Sequence, residues 1–283
     1  IKNPCNISMK LSLTYILFLI VLFLNTNASA QEVEAKAHYL GNEGLMIESK
    51  KSKVLFDPFF HKDYQRFTLV PEEIRAKIFN NYPPFDNVDV ILISHSHGDH
   101  FDAKDISTYL KKYKNVILVA PTQAIEKLKP LPSYKMIANR LYEIKMEVSE
   151  SPVELLIEGI QIEAIRIPHL GGVERASIEN IIYRVTTQDA ITVLHLADSD
   201  INRENFVPYL KHWNNKTTHH AFIPHVFALT KGAEEMIRSN LNVNATTLIH
   251  VPKNVPQEIK QSHIDYFSTP GEIRKIIVFN KKK

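Results

Sequence analysis

The sequence predicts an α/β protein in which two β-sheets stack face to face with helices outside. Three observations carry that expectation. Apolar runs of strand length recur along the chain, bounded by Gly, Pro, Asn and Asp. Their succession is β-rich, then α/β, then β-rich, then α/β, a rhythm that lays helices over one face of each sheet. Beyond residue 31 there is no internal repeat, low-complexity linker or composition break, so 31–283 reads as one domain.

In order, residues 34–39 alternate as a strand, 41–44 turn, and 45–48 return. After a second turn at 50–53, Val54-Leu55-Phe56 is a buried strand ending at Asp57-Pro58. Residues 59–85 carry Phe59, Phe60, His61, Tyr64, Phe67, Phe79, Tyr82 and Phe85, with a short helix over 71–79. That density of aromatics fits a flap packed on the sandwich edge. Phe60 and His61, close behind Asp57, are candidates for the wall of a substrate pocket. Further on, helices are expected at 102–113, 121–128, 203–211, 231–240 and 256–266. Strands are expected at 116–119, 141–148, 153–157, 160–167, 178–186, 190–196, 221–223, 246–249 and 273–279.

The run 88–93 reads as a buried strand, and Ser94-His95-Ser96-His97-Gly98-Asp99-His100 follows it. Three imidazoles and a carboxylate within six residues form an N/O-rich donor cluster of the kind that suits zinc. On an extended backbone His95 and His97 point the same way and can grip one ion. Gly98 permits a sharp turn that carries Asp99 and His100 round to a second. Asp102 N-caps the helix leaving the loop. Four ligands cannot complete two ions, and later strand ends offer more: His169, Asp198, His225 and His250.

His95-x-His97-x-Asp99-His100 resembles the HxHxDH signature of the metallo-β-lactamase superfamily, and the resemblance continues from His38 to the C-terminus. It implies a four-layer αββα sandwich and a hydrolase with two Zn2+ ions, although the same donors accept Mn or Fe. By resemblance His95, His97 and His169 hold the first ion, Asp99, His100 and His250 the second, and Asp198 bridges them. His250 stands where the family places its last histidine, after a further helix and strand, which leaves His225 to face substrate. Asp57 matches a family aspartate beneath the metal loop that orients a ligand histidine, with an Asx turn before Pro58 as the alternative. His195 falls on the opposite face of its strand as a core histidine. His212, His219, His220 and His263 read as surface residues.

The implied chemistry is attack of a metal-activated water on a carbonyl or phosphoryl centre, with Asp99 placed to accept a proton. The partner is then a small-molecule or lipid-like substrate carrying an ester, lactone or phosphodiester bond. The chain looks similar to the branch of L-ascorbate-6-phosphate lactonase-like and N-acylphosphatidylethanolamine phospholipase D-like hydrolases. A quorum-signal lactonase and a cysteine-free β-lactamase are alternatives, and a non-catalytic metal- or ligand-binding protein is the alternative of another class.

A net charge of +3 with scattered lysines gives no basis for nucleic-acid binding. Lys10, the apolar run 11–24 and Ala28-Ser29-Ala30 read as a signal peptide cut after Ala30, sending the protein to the periplasm or outside. An uncleaved anchor is the competing reading, but the 14-residue run is short of the about 20 that a span needs. The sole cysteine, Cys5, precedes that cut, so the mature chain has neither disulfide nor thiolate ligand.

Overall fold

The computed structural model describes residues 32–279. The expected signal segment, Cys5 and the terminal Lys281-Lys282-Lys283 lie outside the described residues. Glu34–Ile277 forms one compact unit.

Strands β1 (Glu32–Gly41), β2 (Gly44–Glu48) and β3 (Lys53–Phe56) make an antiparallel meander. Strands β4 (Val90–Leu92), β5 (Ile117–Pro121) and β6 (Leu141–Ile144) extend it in parallel. The second sheet runs β7 (Val153–Ile157), β8 (Ile160–Arg166), β9 (Ile181–Thr186), β10 (Thr192–His195), β11 (Thr218–Pro224) and β12 (Val243–Ile249). It is antiparallel from β7 to β10 and parallel from β10 to β12. A last strand, β13 (Ile273–Phe279), closes the first sheet beside β1.

Side chains alternate between faces along each strand, and this sorts the core. Leu55, Ile91 and Leu118 face helices, packing with Ile106, Tyr109, Leu110, Ile125 and Leu128. In the second sheet Leu194, Ala221 and Val243 likewise pack with Tyr209, Trp213 and Met236. The intervening residues meet between the sheets. There the Phe56 and His195 rings stack at 5.1 Å, and the Tyr183 hydroxyl donates to the Ile93 carbonyl at 2.9 Å. The result is the expected αββα sandwich.

The helix Ala103–Lys112 is capped by Asp102, whose carboxylate accepts the Asp105 N–H at 2.9 Å, a contact worth about 1 kcal/mol. Other expected helices are shorter. The segment 203–211 divides into two 3₁₀ turns and the helix Leu210–Asn214, because Pro208 has no N–H for a continuous ladder. The helix after Lys231 starts only at Ala233, since Gly232 is left-handed at φ 83°. The segment 256–266 is helical only over Gln257–Gln261, and 141–148 is a strand only to Ile144. Among the described residues no helix is long and apolar enough to cross a membrane.

Candidate metal centre

Parallel pairing sends the carboxyl ends of neighbouring strands to the same edge, and six loops gather there. They follow β3, β4, β8, β10, β11 and β12 and carry Asp57, the histidine motif, His169, Asp198, His225 and His250. Three of these strand ends have left-handed backbone: Asp57 at φ 42°, Ala197 at 47° and His250 at 54°. Each costs an L-residue about 1–2 kcal/mol, and such strain gathers where side chains must be aimed. Gly98 contributes in a different way from the expected one. Its φ is not left-handed, but a Cβ there would lie 2.7 Å from Lys62 Cγ, so close approach is what demands glycine.

Two of the candidate donor groups gather the expected ligands. His95, His97, His169 and Asp198 form one, and Asp99, His100 and His250 the other. In the first, His95 Nε2 lies 3.0 Å from His97 Nδ1, and His169 Nε2 lies 3.3 Å from Asp198 Oδ2. In the second, Asp99 Oδ2 is 3.7 Å from both His100 Nε2 and His250 Nε2. Asp198 touches both groups, with Oδ1 3.3 Å from His250 Nε2 and Oδ2 3.7 Å from His100 Nε2 and 3.9 Å from His95 Nε2. Donors around a tetrahedral ion with bonds of about 2.0–2.2 Å stand about 3.4 Å apart, so these spacings suit metal. A second observation agrees. Among the described residues His100 Nε2, His169 Nε2, His250 Nε2 and Asp99 Oδ1 are buried and make no hydrogen bond, an expense that a bound ion would remove.

The opposite ring nitrogens are held. His100 Nδ1 donates to Asp57 Oδ2 at 3.0 Å, and His169 Nδ1 donates to the Leu170 carbonyl at 2.6 Å. Asp57 also accepts the Ser94 N–H at 2.8 Å and its hydroxyl at 2.5 Å, and Ser94 Oγ lies 3.0 Å from His95 Nδ1. Asp57 therefore touches both donor groups, one through His100 and the other, by way of Ser94, through His95. Burial, with the neighbouring imidazoles, lowers His97 to about 4 and His95 well below its ordinary value. Burial opposes charge at His100 too, but Asp57, Asp198, Asp99 and Glu43 overcome it and push that imidazole up to about 10. The surrounding carboxylates thus favour positive charge at this spot.

The site opens into a cleft of about 640 Å³ lined by Tyr64, Arg66, Phe67, Leu170, Ile178 and Val226 among others. His225 lines it as well. Phe60 and His61 do not. Phe60 is buried, and His61 turns to Asp105 at 3.1 Å because the 59–62 backbone is pinned to Phe101, Asp102 and Gly98. The wall comes instead from Tyr64, Arg66 and Phe67 of the same segment. Most of its other aromatics join the core, as a flap should: Phe59, Phe79 and Phe85 pack there. His195 is the expected core histidine, its Nε2 donating to the Glu43 carbonyl at 3.0 Å. His220 is buried rather than exposed, bonding Thr247 Oγ1 at 2.8 Å, because β11 lies between two other strands.

Two residues at the site were invisible as functional groups in the sequence. Asn42 and Glu43 sit in the β1–β2 turn, which is buried. Asn42 Nδ2 donates to the Asp99 carbonyl at 3.0 Å, and its own carbonyl accepts the His250 N–H at 3.1 Å. The only signal was a carboxylate and an amide between two glycines, which reads equally well as a solvent-facing turn.

Residues 36–250 match the family described as Beta-lactamase superfamily domain. Among curated proteins, the chain is 26% identical over 171 residues to UPF0173 metal-dependent hydrolase PH1671 of Pyrococcus horikoshii, covering 60% of this chain and 64% of that one. It is 30% identical over 89 residues to UPF0173 metal-dependent hydrolase RBAM_026340 of Bacillus velezensis, covering 31% and 32%. The chain thus spans less than two thirds of the length of these relatives. In fold it is similar to the metallo-beta-lactamase fold protein YhfI of Bacillus subtilis, with TM-score 0.57 and 16% identity over 86% of this chain and 99% of that one. It is also similar to a possible metal-dependent hydrolase of Veillonella parvula, with TM-score 0.59 and 15% identity over the same shares. With the match running over most of both sheets and every candidate ligand from His95 to His250, this chain belongs to the beta-lactamase superfamily domain family.

Proposed function

We propose that the protein is an exported metal-dependent hydrolase that uses two divalent ions, Zn2+ by preference, to cleave an ester, lactone or phosphodiester bond. The observation that carries this is the pair of donor groups joined by Asp198, with four buried donor atoms lacking hydrogen bonds, at the floor of a cleft. Two relatives described as metal-dependent hydrolases support it.

His95 Nε2, His97 Nδ1 and His169 Nε2 would hold one ion, and Asp99, His100 Nε2 and His250 Nε2 the other, with a carboxylate oxygen of Asp198 toward each. When bound, such a pair supplies an activated water near neutral pH and polarises the substrate's oxygen. The chain's own part is positional. Asp57 and the Leu170 carbonyl fix the ring tautomers, so the free nitrogens face inward. Asp99 would also be the carboxylate that accepts the nucleophile's proton. Phe67, Leu170, Ile178 and Val226 give the cleft an apolar wall suited to a small or lipid-like molecule, while Arg66 and Arg175 line it with positive charge.

The test is metal analysis followed by turnover of p-nitrophenyl esters, bis-p-nitrophenyl phosphate, lactones and nitrocefin. Two ions per chain with chelator-sensitive hydrolysis of one class supports the proposal. Two ions with no turnover of any class points to a binding protein. Export rests on the 10–30 segment, and intact mass from the native host should give Gln31 as the first residue. Full-length chain retained in the cytoplasm contradicts it.

A further inference from the structure

We propose that Glu43 is a ligand of the second metal ion, beside Asp99, His100, His250 and the shared Asp198. This rests on the two-ion reading of the site. Glu43 is wholly buried, and among the described residues neither carboxylate oxygen has a hydrogen-bond partner. Its near neighbours have no proton to offer. His100 Nδ1 is 3.8 Å away but donates to Asp57 at 3.0 Å. His195 Nε2 is 3.9 Å away but donates to the Glu43 main-chain carbonyl, while its Nδ1 accepts from the Ala197 N–H.

A buried carboxyl group without a partner is costly to a fold, either as an uncompensated charge or as a held proton, and a bound cation relieves both. Donor atoms of Glu43, Asp198 and His250 lie within 4.8 Å of one another. Opposed ligands on one ion span about 4.2–4.4 Å, so shifts of a few tenths of an ångström bring all three onto it. The hairpin carrying Glu43 is tied to that same ion's ligands, because Asn42 bonds both Asp99 and the His250 N–H. The two positions then differ in kind. The first has three imidazoles and one carboxylate. The second has two imidazoles and three carboxylates, a harder set that favours Mn2+ or Fe2+ more than the first does.

The experiment compares the full chain with Glu43→Gln and Glu43→Asp, titrated with Co2+ after metal removal. Expected for Glu43→Gln is a first ion bound as in wild type and a second bound tenfold or more weakly. The visible Co2+ spectrum of the second site should intensify as its coordination number falls, and Glu43→Asp should lie between. Metal-free Glu43→Gln should melt close to the wild-type temperature, since a buried carboxyl without a partner is exchanged for its isosteric amide. A Co2+ spectrum unchanged by Glu43→Gln, with or without weaker binding, makes Glu43 at most a positioning residue and overturns the assignment. If the wild-type chain itself takes up one ion, the two-ion reading falls and Glu43 falls with it.

Discussion

The imidazole rings of His225 and His250 lie nearly parallel, 13° apart in plane with 6.4 Å between centroids, and only His250 reaches the carboxylates. His225 stands behind it on the short helix after β11, lining the cleft. His250→Ala should therefore lower second-site affinity by about tenfold or more, given that losing even supporting partners commonly costs about 10–100-fold. His225→Ala should leave two ions bound and alter turnover alone. Metal analysis of the two variants side by side decides the pair, and an emptied second site in His225→Ala would reverse the roles.

Asp57 accepts from Ser94 twice and from His100 once, so its loss strips acceptors from two elements of the site together. Asp57→Ala should weaken metal binding by about 10–100-fold. It should also lower the melting temperature, because each buried donor left unpaired costs about 1–3 kcal/mol. Chelator competition and calorimetry read the two effects. Unchanged affinity would reduce Asp57 to a turn residue before Pro58.

The four donors at positions 95–100 were legible because a metal cluster confined to one loop is a local pattern. His169, Asp198 and His250 were legible because each closes an apolar strand, so a linear cue and a spatial one coincide. Glu43 offered no such coincidence. Its burial beside the candidate ligands arises because β1 and β2 press their turn inward, and nothing within the segment 41–44 encodes that depth. His220 was misjudged for a related reason: burial of a strand residue depends on whether another strand pairs outside it, and here β12 does. Phe60 and His61 were misplaced because proximity to Asp57 in sequence was taken for proximity in space. The left-handed residue at 57 turns the chain away.

Away from the metal centre, a buried ionic cluster sets an acid limit on stability. Glu163 accepts from Arg184 Nε at 2.5 Å and lies 2.8 Å from His212 Nε2, with Lys216 also in contact. Burial alone would raise the Glu163 carboxyl, but these partners outweigh it and lower it to about 2 from an ordinary 4.5. A folded value below the unfolded one means the stabilisation is complete above pH 4.5 and is lost as pH falls toward 2. The whole shift corresponds to about 3 kcal/mol. Glu163→Gln should remove that pH-dependent portion and destabilise the protein at neutral pH, since Arg184 is fully buried and would lose its counter-charge. Denaturant unfolding of both proteins from pH 6 to pH 2.5 checks it. Parallel curves across that range would show that Glu163 is not a determinant of acid stability.

The cleft wall supplies the last test. Phe67 is buried, its ring centroid lies 4.0 Å from that of His250, and Arg66 Cζ lies over the ring at 5.3 Å from its centroid. It therefore both bounds the cleft and packs against a proposed ligand. His61 lies outside the cleft, paired with Asp105, which Arg75 grips at 2.7 and 2.8 Å. Phe67→Ala should lower kcat/KM by about tenfold or more, because apolar pocket contacts discriminate by about 1–3 kcal/mol. His61→Ala should leave kcat/KM within about twofold, its half-exposed ion pair being worth at most about 1 kcal/mol to stability. Metal content measured alongside separates the two roles of Phe67: full occupancy with raised KM identifies a substrate wall, and lost metal identifies a prop for His250. A raised KM in His61→Ala with none in Phe67→Ala would return the wall to the residues next to Asp57.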